Sequence, residues 1–338
     1  MSTIFPNSMA KLRDDGTGDG VDVVMRTKDR PALLGRALAS VVNQWHANWH
    51  LYLINDGGEA APVDALVQVF AEPLAGRITV IHNPASLGMS AAANLGLSRG
   101  TSAFVATHDD DDSWDPAFLA TGAAFLLAPE QRRFGAVLTR WNRVEERFDG
   151  TTVEITAAAV QGYDGAVVDF LDVLRTPQVP PIALLWRRNV AATAGFLNSH
   201  LPVLDDWDFN LRALQLADIA LLPEPLANYH VRVSADAGDY ANTITDGLPT
   251  HLRYNTLYRN SLLRAYLDKD PARIGLVAAL LKNGELARQQ IEAVQIASHR
   301  ELSGNQHHLN TRLDGIEAEV REIRALLEKI WGAITQTA

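Results

Sequence analysis

The sequence predicts an α/β protein: a mostly parallel sheet with flanking helices, followed by a C-terminal helical region that ends in a coiled coil. Three observations carry this. Strand-like apolar runs alternate with helix-period segments from residue 21 to residue 109, the pattern of a parallel sheet with helices on both faces. Three of these runs end in polar residues, at Thr27 to Arg30, Asn55 to Gly58 and Asp109 to Asp112, where such sheets bind ligands. From Leu302 onward apolar residues recur every seven positions, which is a heptad repeat.

Taken in order, residues 1 to 20 are rich in Gly, Asp and Ser and read as a loose leader. Val21 to Met25 forms the first strand. Leu33, Leu34, Ala37, Leu38, Val41 and Val42 then recur at helical spacing, with Pro31 suited to the first turn. Trp49 to Ile54 is the second strand, residues 62 to 71 a helix and Arg77 to Ile81 the third strand. A small-residue helix follows from Ser90 to Leu97, and the fourth strand leads into Asp109. Further strands are expected at 134 to 141, Ile182 to Trp186 and Ile219 to Leu222, and a helix from Leu204 to about Leu216. Residues 142 to 175 give no clear order of elements. The divisions are a leader over 1–20, a catalytic domain over 21–245, a helical linker region over 246–300 and an oligomerisation helix over 301–338.

Composition narrows the function. The 338 residues carry a formal net charge of −10 and are 47% hydrophobic, which allows a sizeable core and argues against binding nucleic acid through phosphate neutralisation. The chain has no cysteine, which excludes disulfides, thiolate catalysis and zinc–thiolate sites. The N-terminus lacks a charged-then-apolar signal pattern. The apolar run from Ile274 to Leu281 is far shorter than the roughly 20 residues of a membrane span, so a soluble protein is expected.

Four adjacent carboxylates, Asp109 to Asp112, follow the apolar run Ala103 to Ala106 and precede Ser113-Trp114-Asp115-Pro116. They repel one another, and a hard divalent cation is a common neutraliser that leaves positions open for phosphate. The alternative is a solvated acidic turn capping the next helix, with Asp112 as the cap.

These pieces together resemble the family 2 glycosyltransferases, with their GT-A fold. Thr27-Lys28-Asp29-Arg30-Pro31 is similar to the family's first strand-end motif, and Asn55-Asp56-Gly57-Gly58 to its second, usually Asp-Asp-Gly-Ser. Gly88 through Asn94-Leu95-Gly96 resembles its Gly-rich helix, with Ala93 where Arg is usual. The acidic run with Ser113-Trp114 and Pro116 is similar to its metal motif, and Asp205-Asp206-Trp207-Asp208-Phe209 with Arg212 to the segment carrying its catalytic base. The motifs come in the family's order over residues 20 to 235.

The resemblance implies site roles. Asp111 would be the main ligand of Mn2+ or Mg2+, and Asp109 or Asp110 would contact the ribose of a nucleotide-sugar donor. Asp56 would accept a hydrogen bond from the base, and Thr27, Arg30 and Asn94 would belong to the donor site. Asp206 would be the general base, with Asp205 and Asp206 as a helix cap the alternative and Asp208 a rival base. His230 would add a metal ligand or a diphosphate contact, although Tyr229-His230-Val231-Arg232 stands where the family commonly has Tyr-Arg-x-His. The implied reaction is inverting transfer from a nucleoside-diphosphate sugar to a hydroxyl of a glycan or lipid-linked glycan, in bacterial surface polysaccharide synthesis, in the cytoplasm or at the inner membrane face. A nucleotidyltransferase would be expected to show a Gly-rich phosphate loop after the first strand, and residues 26 to 31 have none. A non-catalytic carbohydrate-binding assembly protein would need neither the acidic run nor the Asp205-Asp206 segment.

In the tail, Leu302, Leu309, Ile316, Ile323 and Ile330 form one heptad series and Leu313, Val320, Leu327 and Ile334 the other. With the Leu/Val series at a, broken by Gln306, and the Ile-rich series at d, a parallel trimer or tetramer is favoured over a dimer. The alternative is a single amphipathic helix folded back on its own domain.

Overall fold

The computed structural model describes residues 18–148, 152–232 and 247–336. The chain divides into two compact units, Met1–Leu257 and Tyr258–Ala338. Most of the expected leader, residues 1–17, and the end of the expected catalytic domain, 233–245, lie outside the described residues.

The first unit begins as the alternation predicts. Strand β1 (Val21–Thr27) leads to helix α1 (Pro31–Val42), β2 (Trp49–Asp56), α2 (Ala60–Val69), α3 (Ala71–Leu74), β3 (Ile78–Asn83), α4 (Met89–Arg99) and β4 (Phe104–Asp109). β1 is flanked by β2 and β4, and β2 by β3, all parallel. Nearly all of β1 is buried, as a strand covered on both faces must be. Gly96 of α4 lies against Val24 and Ile54, and a Cβ there would come within 2.7 Å of Val24. That glycine therefore sets how closely α4 packs on the sheet.

The second half departs from a mostly parallel sheet. β5 (Ser113–Trp114), α5 (Phe118–Leu127), β6 (Phe134–Phe148), β7 (Val153–Gln161), α6 (Phe170–Arg175), β8 (Leu184–Arg187), α7 (Arg188–Ala194), α8 (Asp205–Leu214) and β9 (Asp218–Arg232) follow. Among the described residues the order is β3-β2-β1-β4-β8-β6-β9-β5, with β7 beside β6. β8 is antiparallel to β4 and β6, β7 to β6 and β5 to β9, whereas β6 and β9 are parallel. The sheet is mixed, and the end of β6 and all of β7 fall in the stretch whose elements could not be ordered from sequence.

β9 is also far longer than the expected strand Ile219 to Leu222. It continues through Pro223 and Pro225 because the register with β6 shifts on both sides of Arg140. Prolines cannot donate to a ladder and are tolerated at such bulges. The ribbon ends with Glu146 opposite Arg232 and Val144 opposite His230, which delivers both segments to the acidic turn.

α9 (Leu248–Asp268) crosses the boundary between the units. In the second unit a short 3-10 turn, Pro271–Arg273, separates it from α10 (Ile274–Gln336), a continuous 63-residue helix with no break near residue 300. The helices are interrupted between Asp268 and Pro271, where the sequence Asp268-Lys269-Asp270-Pro271 marks a break. Of the heptad positions, Leu313 and Val320 are exposed; the side chains of Leu302, Gln306, Leu309, Ile316, Ile323, Leu327, Ile330 and Ile334 lie outside the described residues. No helix among the described residues is long and apolar enough to cross a membrane.

Candidate active site

A crevice of about 320 Å³ opens at the carboxyl ends of β1, β2 and β4, lined by Arg26, Thr27, Arg30, Asp56, Asp109, Asp111, Tyr229 and His230 among others. The three polar strand ends thus meet in one place, as the parallel half of the sheet requires. Asp29, at the turn out of β1, has φ of 52°, a left-handed conformation that Asp tolerates. Its carboxylate accepts the Glu59 amide at 2.9 Å and so ties the β1 and β2 loops together.

The acidic turn closes through the Asp112 amide, which donates to the Asp109 carbonyl at 3.3 Å. Beneath it lies His108, bonded to Ser40 at 3.0 Å and to the Asp109 carbonyl at 2.7 Å. Burial pushes its pKa down to about 4, against the pull of the Asp109 carbonyl, so the ring adds no charge. Trp114 packs edge-on against it and stacks on Phe118.

Arginines hold the carboxylates. Arg26 pairs with Asp109 at 3.0 Å, Arg30 with Asp110 at 2.5 Å and Asp111 at 3.2 Å, and Arg232 with Asp111 at 2.5 Å. Burial raises Asp111, but Arg30, Arg232 and Arg36 together leave it below the usual carboxylate range. Asp110 is wholly buried, and burial outweighs Arg30 and the Thr27 hydroxyl to push it up to about 7. Neutralisation, which the sequence reading gave to a cation alone, is shared with the chain's own guanidinium groups. Asp112 accepts the His230 backbone amide at 2.8 Å and fastens β9 to the turn. It does not cap the next helix: α5 starts only at Phe118, and Asp115 accepts the Ala117 amide before it.

Behind the turn sits Glu146, fully buried on β6. It contacts Arg36 at 2.7 Å, His230 Nδ1 at 3.0 Å and Arg232 at 3.3 Å. Burial opposes ionisation, but the His230 and Arg36 hydrogen bonds prevail and draw its pKa down to about 2. The other His230 ring nitrogen meets Ser113 Oγ at 3.0 Å. Both nitrogens are thus engaged by protein, and His230 stands as a brace between β9, β6 and the turn.

Two other residues of the implied donor set have their polar atoms committed. The Asp56 carboxylate accepts from Asn83, Ser86 and the amides of Leu87 and Gly88, all within 3.0 Å. These bonds overcome burial and lower its pKa, and they hold the 83–88 loop as a wall of the crevice. Asn94 exchanges two hydrogen bonds with the Leu197 backbone, at 2.7 and 3.0 Å, and clamps α4 to the segment before α8.

Asp109, Asp111 and Asp112 offer carboxylate oxygens within 4.8 Å of one another. An oxygen-only set of this kind fits Mg2+ or Mn2+.

At the start of α8, Leu204 has φ of 65°, a strained left-handed conformation for a residue with a Cβ. It turns the chain so that Asp205 and Asp206 lie in the first turn of the helix, where the dipole favours negative charge. Ser90 Oγ donates to Asp205 at 2.6 Å, and the Trp207 amide to Asp206 at 2.7 Å. Burial first, then Asp205, push the Asp206 pKa up to about 7, against the Trp207 amide and Arg26. Asp208 is instead bound by Arg212 at 2.6 Å, which removes it as a rival base. Trp207 is 1% exposed and donates to the Val173 carbonyl, so it fills the core.

Asp206 faces two further spaces. A cavity of about 130 Å³ has Arg26, Asp109, Asp206 and Tyr229 in its wall. A groove of about 650 Å³ is lined by Trp141, Arg143, Tyr163, Gln178, Pro180, Asp206 and Tyr229 among others. Tyr229 borders the crevice, the cavity and the groove. Burial and the neighbouring carboxylates push its phenol up, so it stays protonated.

A carboxylate- and arginine-lined crevice at the ends of the parallel strands, with a raised aspartate and a groove beside it, is a site of the kind a glycosyltransferase uses. Residues 22–151 match the glycosyl transferase family 2 description. The chain is 27% identical over 229 residues, 66% of this chain and 80% of the relative, to a PGL/p-HBAD biosynthesis glycosyltransferase of Mycobacterium bovis. It is 24% identical to the uncharacterized glycosyltransferase YwdF of Bacillus subtilis over 220 residues, 65% of this chain and 76% of that one. Its fold is similar to that of S. aureus TarS 1-349 in complex with UDP-GlcNAc, with a TM-score of 0.51, 16% identity, and coverage of 65% of this chain and 60% of that one.

The sequence reading missed Arg26, Arg36, Glu146, Tyr163 and Tyr229 as parts of the site. Arg36 sits at a polar position of an amphipathic helix, and Glu146 in the stretch that could not be ordered. The long β6–β9 pairing brings Glu146 to the acidic turn, and α1 brings Arg36 to the Asp111 carbonyl. Arg26 and Tyr229 carried local signals, the first as a charged residue near a strand end, the second within the Tyr229-His230-Val231-Arg232 segment.

Proposed function

We propose that this glycosyltransferase is inverting and metal-dependent, and moves a sugar from a nucleoside diphosphate to an acceptor hydroxyl in surface polysaccharide synthesis. The observation that carries this is a row of shared walls: Asp109 and Tyr229 line both crevice and cavity, and Asp206 and Tyr229 line both cavity and groove. The crevice takes the donor. Thr27 and Arg30 line its nucleotide and diphosphate region, Asp109 faces the ribose while the buried Asp110 holds Arg30 from behind, and Asp56 shapes its wall. Asn94 and His230 act by position, His230 from behind the metal ligands.

Asp111 and Asp109, with Asp112, would hold Mg2+ or Mn2+, which when bound stabilises negative charge on the departing diphosphate. Asp206 accepts the proton of the acceptor hydroxyl as that oxygen bonds to the anomeric carbon. The bond from that carbon to the phosphate oxygen breaks, and the nucleoside diphosphate leaves with the electron pair. Attack from the face opposite the diphosphate inverts the centre. The groove takes the acceptor: Trp141, Tyr163 and the prolines suit the apolar face of a sugar ring, and Gln178 and Arg143 suit its hydroxyls.

We place the enzyme in the cytoplasm or at the inner membrane face, where a lipid-linked glycan would meet it, and propose that α10 associates as a parallel trimer or tetramer. No nucleic acid is a partner. A screen of nucleotide sugars with and without Mn2+, read by thermal shift and then by product stereochemistry, tests the reading. Metal-dependent stabilisation and an inverted product support it; retained configuration rejects the role given to Asp206.

A further inference from the structure

We infer that His251 is a specificity-determining residue for the transferred sugar, its imidazole hydrogen bonding a ring hydroxyl in the cavity between Asp109 and Asp206. The inference rests on the donor arrangement proposed above and names a residue that arrangement does not use. His251 lies in the first turn of α9, within the first unit, and lines the same cavity as Asp205, Asp206 and Tyr229. Its Nε2 is buried and has no hydrogen-bond partner among the described residues.

A buried, unpartnered ring nitrogen is costly to retain. Here it faces an open cavity that also holds Arg26, Asp109, Asp205, Asp206 and Tyr229, rather than a packed core. Burial holds the imidazole below its ordinary pKa although Asp205 pulls the other way, so at neutral pH the ring is uncharged, with one donor and one acceptor nitrogen. That pairing matches a hydroxyl, which both donates and accepts, better than it matches a phosphate oxygen.

Position assigns the hydroxyl to the donor sugar. The cavity shares Arg26, Asp109 and Tyr229 with the nucleotide crevice. His251 does not line the acceptor groove. A sugar whose diphosphate lies against Asp109 and whose anomeric carbon faces Asp206 would occupy this space.

The test is calorimetric titration of the full chain, His251→Ala and His251→Gln in Mn2+. The probes are UDP, GDP, UDP-glucose, UDP-galactose, UDP-N-acetylglucosamine and GDP-mannose. The expected result is that His251→Ala binds the preferred nucleotide sugar about five- to tenfold more weakly. Its affinity for the matching nucleoside diphosphate stays unchanged, the preference over the other sugars narrows, and His251→Gln recovers part of the loss. Unchanged nucleotide-sugar affinity, or an equal fall for sugar and diphosphate, overturns the assignment. If the unaltered chain binds the diphosphates but gains nothing from any sugar, the cavity is not a sugar site. If it binds none of the probes, the donor reading itself has failed and this inference falls with it.

Discussion

Arg232 Nη2 stands 2.5 Å from Asp111 Oδ2 across 121 residues of chain. The same guanidinium reaches Glu146 at 3.3 Å. One buried arginine therefore joins the proposed metal ligand to the carboxylate that braces His230.

Removing Glu146 leaves the cations around it without their shared counter-charge. Glu146→Ala is expected to cost about 3–5 kcal/mol of unfolding free energy, the range for breaking a buried ion pair, read by urea denaturation. Because its pKa falls from 4.5 to about 2, this contribution is complete above pH 4.5 and fades as pH drops towards 2. The gap between the unaltered chain and Glu146→Gln should narrow over that window; a gap independent of pH would show that Glu146 is not the ionised partner.

Asp206→Asn is expected to lower the transfer rate by about 10²–10⁴-fold, the usual worth of a general base, with nucleotide affinity intact. With Asp206 raised to about 7, transfer in the unaltered enzyme should climb with pH and level off above 7. The same shift means that the folded state holds a proton the unfolded chain releases, so stability falls as pH rises from about 4 through 7. Asp206→Asn should remove the share of that fall that Asp206 contributes and leave the share from Asp110, which is also raised to about 7. Asp208→Asn should keep the rate within a few fold while losing thermal stability, since it breaks only the Arg212 pair.

Asp111→Ala should abolish the extra thermal stabilisation that Mn2+ gives the nucleotide-bound protein, and EDTA should do the same to the unaltered chain. A tenfold or smaller loss of metal-dependent nucleotide binding in Asp111→Ala would shift the main ligand to Asp109 or Asp112.

Tyr163→Phe and Gln178→Ala test the groove. The Tyr163 hydroxyl is buried without a hydrogen-bond partner among the described residues, which suits a contact made only with acceptor. Each variant should raise the acceptor KM by about three- to tenfold and leave donor hydrolysis alone. Equal losses in both assays would place the residues elsewhere in the cycle.

Sedimentation of the full chain should show a trimer or tetramer. Leu313→Asp with Val320→Asp should shift it to monomer, because charges at two core positions of a heptad seam are strongly unfavourable. A monomeric unaltered chain ends the coiled-coil proposal.

The parallel half of the fold was legible because each strand there is a short apolar run closed by Gly, Asp or Asn, and each helix repeats at its own period. Thr27, Arg30, Asp109 and Asp111 could be found for the same reason: topology alone puts strand ends together. What stayed hidden depends on pairing between distant segments. Nothing near Glu146 marks it as buried, and nothing near Pro223 suggests that the strand continues past it. Asp56 and Asn94 show the converse limit, since their motifs are visible but the loops that occupy their polar atoms are not.

The order of synthesis gives the β6–β9 ribbon one more consequence. On the ribosome the four aspartates emerge more than a hundred residues ahead of Arg232, and until that arginine arrives only nearby N-terminal guanidiniums offset their repulsion. A fragment ending before β9 would carry this imbalance permanently. Premature termination in the second half should therefore yield chains that are cleared by proteolysis rather than partly active enzymes.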